Sequence, residues 1–168
     1  MSSAIITGFR LSPQQRHLWP LQAGNPSFNA WVAIMLSGPV DVDHLQSALN
    51  EIVARHEILR TTYQRLSGMS MPVQVVGDFA SVEVRSVDLD NEAIDDFIAT
   101  ETAETFDYER GPLVRAALAT LSSNRHVLVV TLCAICADTR TIRNLFQEIS
   151  STAAESDDEV VQYLQFSE

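Results

Sequence analysis

The residues of this chain with types and spacing suited to chemistry lie in one short stretch, Cys133-Ala134-Ile135-Cys136-Ala137-Asp138-Thr139. Two thiols three residues apart can serve as a nucleophile, an acyl acceptor, or a redox or metal pair. The nucleophilic roles need a thiolate, which a base, a cation or a helix N-terminus stabilises. Both cysteines lie just before a segment with helical periodicity, which helps in that respect. Against a working pair, an i, i+3 spacing in extended chain sends the side chains to opposite faces, and no further Cys or ligand-spaced His accompanies them. The plainer reading is two small buried apolar side chains. Asp138 can act on a substrate or cap the helix that follows. The four histidines, His17, His44, His56 and His126, fall outside the stretch and read as surface or supporting residues.

The elements that position this stretch are legible on either side of it. Val127 to Leu132 is an unbroken apolar run rich in β-branched residues, the pattern of a strand buried on both faces. After Asp138, Ile142, Leu145, Phe146 and Ile149 recur at helical spacing. A core strand therefore runs into a polar loop and then a helix, and the loop is displayed at the strand's C-terminal end.

Upstream, Ser12 caps a first helix with Pro13 at its first position, and Gly24, Asn25 and Pro26 break it. Residues 28–36 read as a strand. Asp41 or Asp43 caps a second helix with Leu45, Leu49, Ile52 and Val53 on one face, ending near His56. Residues 58–64 begin a further strand, the Gly68, Ser70 and Pro72 region turns, and 73–76 returns. Residues 82–87 alternate as a half-buried strand, and Asn91 is placed to cap a helix through Ala103. Strands at 113–121 and 125–132, separated by Ser122, Ser123 and Asn124, form a hairpin at the centre of the sheet. A last apolar piece at 160–166 stops at Glu168 without a cap, as a cut in a longer chain would. No repeat and no low-complexity tract is present.

The 168 residues suffice for one domain with a core that needs neither disulfide nor metal. A net charge of −11 excludes a polyanion as the expected partner, since no basic stripe is available to neutralise phosphates. The acid concentrates at 88–104 and 155–159, which read as solvated surface. No signal-peptide pattern occurs, and no run approaches the roughly 18 apolar residues of a membrane span, so a cytoplasmic protein is expected. No phosphate loop or metal-ligand spacing appears, so no directly bound cofactor or metal is expected.

Four segments together carry a family resemblance. LSPQQRHLWPL at 11–21 is similar to a first motif, SxAQxRLWxL, through Ser12, Gln15, Arg16 and Trp19; RHEILRTTY at 55–63 is similar to a second, RHExLRTxF. FDYERGPLVR at 106–115 is similar to FDLxxGPLxR, and the strand-end loop stands where the family has HHxxxDG. In order and spacing the chain resembles the N-terminal lobe of the condensation domains of nonribosomal peptide synthetases, in the chloramphenicol-acetyltransferase-like superfamily. The resemblance implies an α/β fold with a mixed central sheet flanked by helices, residues 1–168 forming one lobe of a longer domain.

It also implies a changed site. The family's second His, the base or positioning group for amide formation, is replaced by Ala134, which cannot take a proton; the family's Gly is replaced by Thr139, whose Cβ narrows the channel. Asp138 is retained, with the implied role of shaping the loop through an ion pair to an Arg of the second motif, Arg60 in preference to Arg55. Such a pair would be worth about 3–5 kcal/mol if one partner were removed. Arg16 and Trp19 are implied as packing and loop-holding residues. Three readings follow: a catalytically silent lobe that contacts a carrier protein or recruits a tailoring enzyme; an acyltransferase with non-His chemistry through Asp138 or a Cys; and a piece whose site a C-terminal lobe completes. In each, phosphopantetheine arrives on a partner carrier protein.

Overall fold

A computed structural model describes residues 8–22, 25, 28–78 and 81–151. The expected acidic run at 155–159 and apolar piece at 160–166 lie outside these residues. The chain order is helix α1 (Pro13–Gln22), strand β1 (Asn29–Ser37), helix α2 (Val42–Arg55), strands β2 (Thr61–Gln64), β3 (Val73–Val76) and β4 (Val84–Asp88), helix α3 (Ile94–Ala103), strands β5 (Val114–Ser122) and β6 (Arg125–Cys133), and helix α4 (Thr139–Ser151).

The main sheet has the order β1-β6-β5-β4, antiparallel except for the parallel pair β4–β5. The apolar hairpin therefore takes the centre, as its composition predicts, and every residue from His126 to Cys133 is buried. On one face α2 and α4 cover the sheet, with Leu49, Ile52 and Val53 of α2 and Ile142 and Leu145 of α4 packed against Leu118, Leu128, Val130 and Leu132. On the other, Phe97 of α3 lies on Ala117, Ala119, Val127 and Val129. The mixed sheet flanked by helices expected from the sequence is thus present.

Local chemistry explains most element boundaries. The Asp41 carboxylate accepts from the His44 N–H at 3.0 Å and starts α2, which ends at Arg55 with His56 extended. On the flank of α2, Asn50 and Gln46 accept from the backbone N–H groups of Val82 and Val84 at 2.9 and 2.7 Å. The entry to edge strand β4 is satisfied in this way by side chains instead of a neighbouring strand.

Two expectations are corrected, and one pairing is new. The strand expected from 58 begins at Thr61, because Glu57–Arg60 is a 3₁₀ turn. Asn91 is not a cap: it opens a 3₁₀ turn, Asn91–Ala93, closed by the Ala93 N–H on the Asp90 carbonyl at 3.0 Å, and α3 starts without a side-chain cap. The β2–β3 hairpin does not join the main sheet; it forms its own, extended on the β3 edge by a bridge between Phe9 and Gln74. The FDYERGPLVR segment closes against this small sheet, with the Tyr63 N–H donating to the Tyr108 carbonyl at 2.7 Å. Gly111 sits there at φ +62°, a conformation that costs a residue with a Cβ.

Candidate functional site

The loop between β6 and α4 is not extended. Cys133 to Cys136 form a tight turn closed by the Cys136 N–H on the Cys133 carbonyl at 3.0 Å, and the Ala134 N–H donates to the Phe28 carbonyl at 3.0 Å. The two thiols therefore do not lie in extended chain on opposite faces of a strand. Both are free and buried, Cys133 at 0% and Cys136 at 7% exposure. The Cys136 thiol donates to the Cys133 carbonyl at 3.0 Å, and the Cys133 thiol to Oε1 of Gln22 at 3.7 Å. Burial pushes both thiols above their ordinary pKa, so the neutral form prevails.

Asp138 caps α4, as its position predicts. Its Oδ1 accepts from the backbone N–H and the hydroxyl of Thr141 at 2.8 and 2.9 Å, while the Asp138 N–H donates to that hydroxyl at 3.3 Å. These hydrogen bonds, Thr141's backbone N–H first, hold the carboxyl below its usual pKa. The expected ion pair with a second-motif Arg is corrected: Arg60 pairs with Glu57 at 3.6 Å and donates to the Gly77 carbonyl, and Arg55 pairs with Glu148 at 3.3 Å. The 3₁₀ turn at Glu57–Arg60 supplies a carboxylate nearer to Arg60 in the chain, which accounts for the difference. His56 joins the same cluster, with Nε2 at 3.0 Å from Glu148.

Asp138→Ala is accordingly expected to cost about 1 kcal/mol, the worth of an N-cap, and not the several of a severed buried pair. The carboxyl's folded pKa is depressed, so its contribution is complete above the unfolded value of about 3.9 and is lost as pH falls through the lower folded value. Urea melts of both proteins at pH 7 and in acid check this: the difference between them should shrink in acid.

A cavity of about 190 Å³ opens beside the loop, lined by Gln14, Gln15 and Leu18 of α1, Ile58, the loop itself from Ala134 to Asp138, and Thr141. None of the four histidines lines it. His17 and His44 are exposed, and His126 is buried beneath the sheet's other end. For Thr139, only its place as the first residue of α4 is described. Among the described residues no cluster of His, Cys, Asp or Glu is placed to hold a metal, and no helix is long and apolar enough to cross a membrane.

The first-motif residues divide unexpectedly. Trp19 packs as predicted, with ring centroids 5.7 Å from Tyr63 and 5.4 Å from Tyr108 and the Arg65 guanidinium 5.7 Å away. Arg16 is exposed, and no contact between it and the loop is seen among the described residues. The loop is held instead by Gln15, 1% exposed, whose amide reaches the Ile135 carbonyl at 3.2 Å. Residues 7–167 match the family model of the condensation domain. The chain belongs to the condensation domain family. Relatives include surfactin synthase subunit 2 of Bacillus subtilis, 33% identical over 133 residues, and tyrocidine synthase 2 of Brevibacillus parabrevis, 34% identical over 141 residues. These matches cover 77% and 83% of this condensation-domain chain but 4% of each synthase. Among solved structures, the complex of the X-domain and OxyB from teicoplanin biosynthesis matches with a TM-score of 0.84 and 26% identity, over 99% of this chain and 38% of that one. The chain is thus a nonribosomal peptide synthetase condensation domain by family and spans well under half of its structural relative.

Sequence reasoning passed over Gln15 and its partners Tyr63 and Gln74 as site residues. A signal for Gln15 was present: Ser12 and Gln15 have capping-box spacing, and they do exchange hydrogen bonds, Ser12 N–H to Oε1 at 3.0 Å and Gln15 N–H to the Ser12 hydroxyl at 3.3 Å. Gln74 carried no local signal, because its partners lie far away in the chain.

Proposed function

We propose that this chain is the N-terminal lobe of a catalytically degenerate condensation domain that serves as a contact surface for a carrier protein or a tailoring enzyme. The supporting observation is the chemistry of the cavity wall. Ala134 has no proton acceptor, Cys136 is a buried neutral thiol, and Oδ1 of Asp138 accepts from Thr141, which holds that carboxyl below its usual pKa. Amide formation from a thioester needs a group that takes or steers the amine proton, and the wall supplies none poised for it.

Two further observations favour a platform. The X-domain with which this chain shares 26% identity is described in complex with OxyB, a partner protein. Trp31 and Met35, on the same face of edge strand β1, are 48% and 49% exposed, an apolar surface of the kind a second lobe or partner covers. A C-terminal lobe would complete the domain, and phosphopantetheine would reach it on the carrier.

The test is an amide-forming assay on the complete domain with loaded donor and acceptor carriers, comparing wild type, Ala134→His and Asp138→Ala. Absence of product from wild type, with carrier or tailoring-enzyme binding intact, is the expected result. Product that Asp138→Ala abolishes without unfolding the domain would replace this reading with non-His catalysis.

A further inference from the structure

Gln15 lies within a buried chain of hydrogen bonds whose direction its ends dictate. The backbone N–H of Ser12 can only donate, and it meets Oε1 of Gln15 at 3.0 Å, so the Gln15 amide nitrogen must face the other way. There its two N–H groups face Oε1 of Gln74 at 2.8 Å and the Ile135 carbonyl at 3.2 Å, which can only accept, while the Tyr63 hydroxyl at 3.1 Å, able to donate or accept, shares the amide. Gln74 continues in the same sense, its Nε2 donating to the Arg10 carbonyl at 2.9 Å. The two backbone hydrogen bonds between Phe9 and Gln74, each 2.8 Å, hold Gln74 in place.

The loop depends on this arrangement at one point. Its turn bond uses the Cys133 carbonyl, and the Ala134 N–H goes to Phe28; among the described residues the Ile135 carbonyl takes no backbone donor. Ile135 is buried, so a carbonyl left without a donor there is penalised by its lost hydration.

We infer that Gln15 is the positioning residue of the 133–138 loop: its amide, oriented by Ser12, Tyr63 and Gln74, sets the Ile135 carbonyl and with it the place of residue 134 at the cavity. The inference rests on the proposed reading only in treating this loop as the site. Its test follows the loop and not a product, so either can fail alone.

The 168-residue chain is labelled with ¹³C at isoleucine carbonyls and ¹⁵N at amides, and wild type is compared with Gln15→Leu and Gln15→Glu. In Gln15→Leu the β5 and β6 amides keep their protection, the Ile135 carbonyl resonance shifts, and exchange at 134–137 quickens by about tenfold or more. In Gln15→Glu a protonated carboxyl retains one O–H donor. The Ile135 resonance then returns toward its wild-type position as pH falls through the carboxyl's titration, a profile that loss of packing does not produce. A wild-type Ile135 resonance and wild-type exchange at 134–137 in folded Gln15→Leu would overturn the inference. So would equal loss of protection in loop and sheet, or failure of both variants to fold, either of which makes Gln15 a residue of the core alone.

Discussion

Trp19→Ala is expected to lower the unfolding free energy by about 3–5 kcal/mol, while Arg16→Ala, one turn earlier in the same helix, changes it by no more than about 0.5 kcal/mol. Trp19 is 8% exposed and closes the gap between α1, β2 and the loop bearing Tyr108, so truncation removes ring contacts on two sides and leaves a void. Arg16 is exposed, and among the described residues it has no ion pair to lose. Urea denaturation of the two variants at one pH decides the matter: comparable losses from both would mean that Arg16 holds structure after all.

Cys133 and Cys136 are expected to resist a thiol reagent in the native protein at neutral pH by at least about a thousandfold relative to the unfolded chain. Both are enclosed, and burial favours the neutral thiol over the reactive thiolate, so labelling must wait for the fold to open. The same burial predicts a stability profile in alkali. The folded pKa values lie above the unfolded ones, so the fold holds protons that the unfolded chain releases. Stability is then intact below the unfolded thiol pKa and falls as pH rises toward the folded values, by up to about 1.4 kcal/mol per pH unit per thiol. Urea midpoints from pH 7 to pH 10, set beside a Cys133→Ala/Cys136→Ala variant, measure it. Rapid labelling of either native thiol at pH 7 would return the cysteines to the list of candidate nucleophiles.

The cap, the turn and the thiols together bear on function. An active loop in this place would present at least one group able to exchange a proton near neutrality. Around the cavity, Gln15, Cys136, Asp138 and Thr141 make hydrogen bonds within the fold. The β6–α4 connection is held by Phe28, by Gln15 and by Thr141.

Much of the fold was legible in the sequence. The apolar run ending at Leu132, the Asp138 cap and the helical period of Ile142 and Leu145 each depend on neighbours within a turn or a strand pair, and they appear where the pattern places them. So do the Ser12 and Asp41 caps and the central hairpin. The family, too, was readable from four motifs in order, and the match over residues 7–167 agrees.

Tertiary structure alone decided which polar side chains meet. Gln15 finds partners 48, 59 and 120 residues away, a choice made by the approach of three elements that no local period encodes. Arg60 was expected on Asp138 but lies beside Glu57, because a short 3₁₀ turn brought a nearer carboxylate into reach. The cysteines were expected in extended chain but turn back on themselves, since the sheet ends at Cys133 and the next backbone donor finds Phe28 instead of a strand. Side-chain periodicity is set by the geometry of the local backbone, whereas a hydrogen bond or ion pair goes to whichever partner the packed core leaves within about 3 Å.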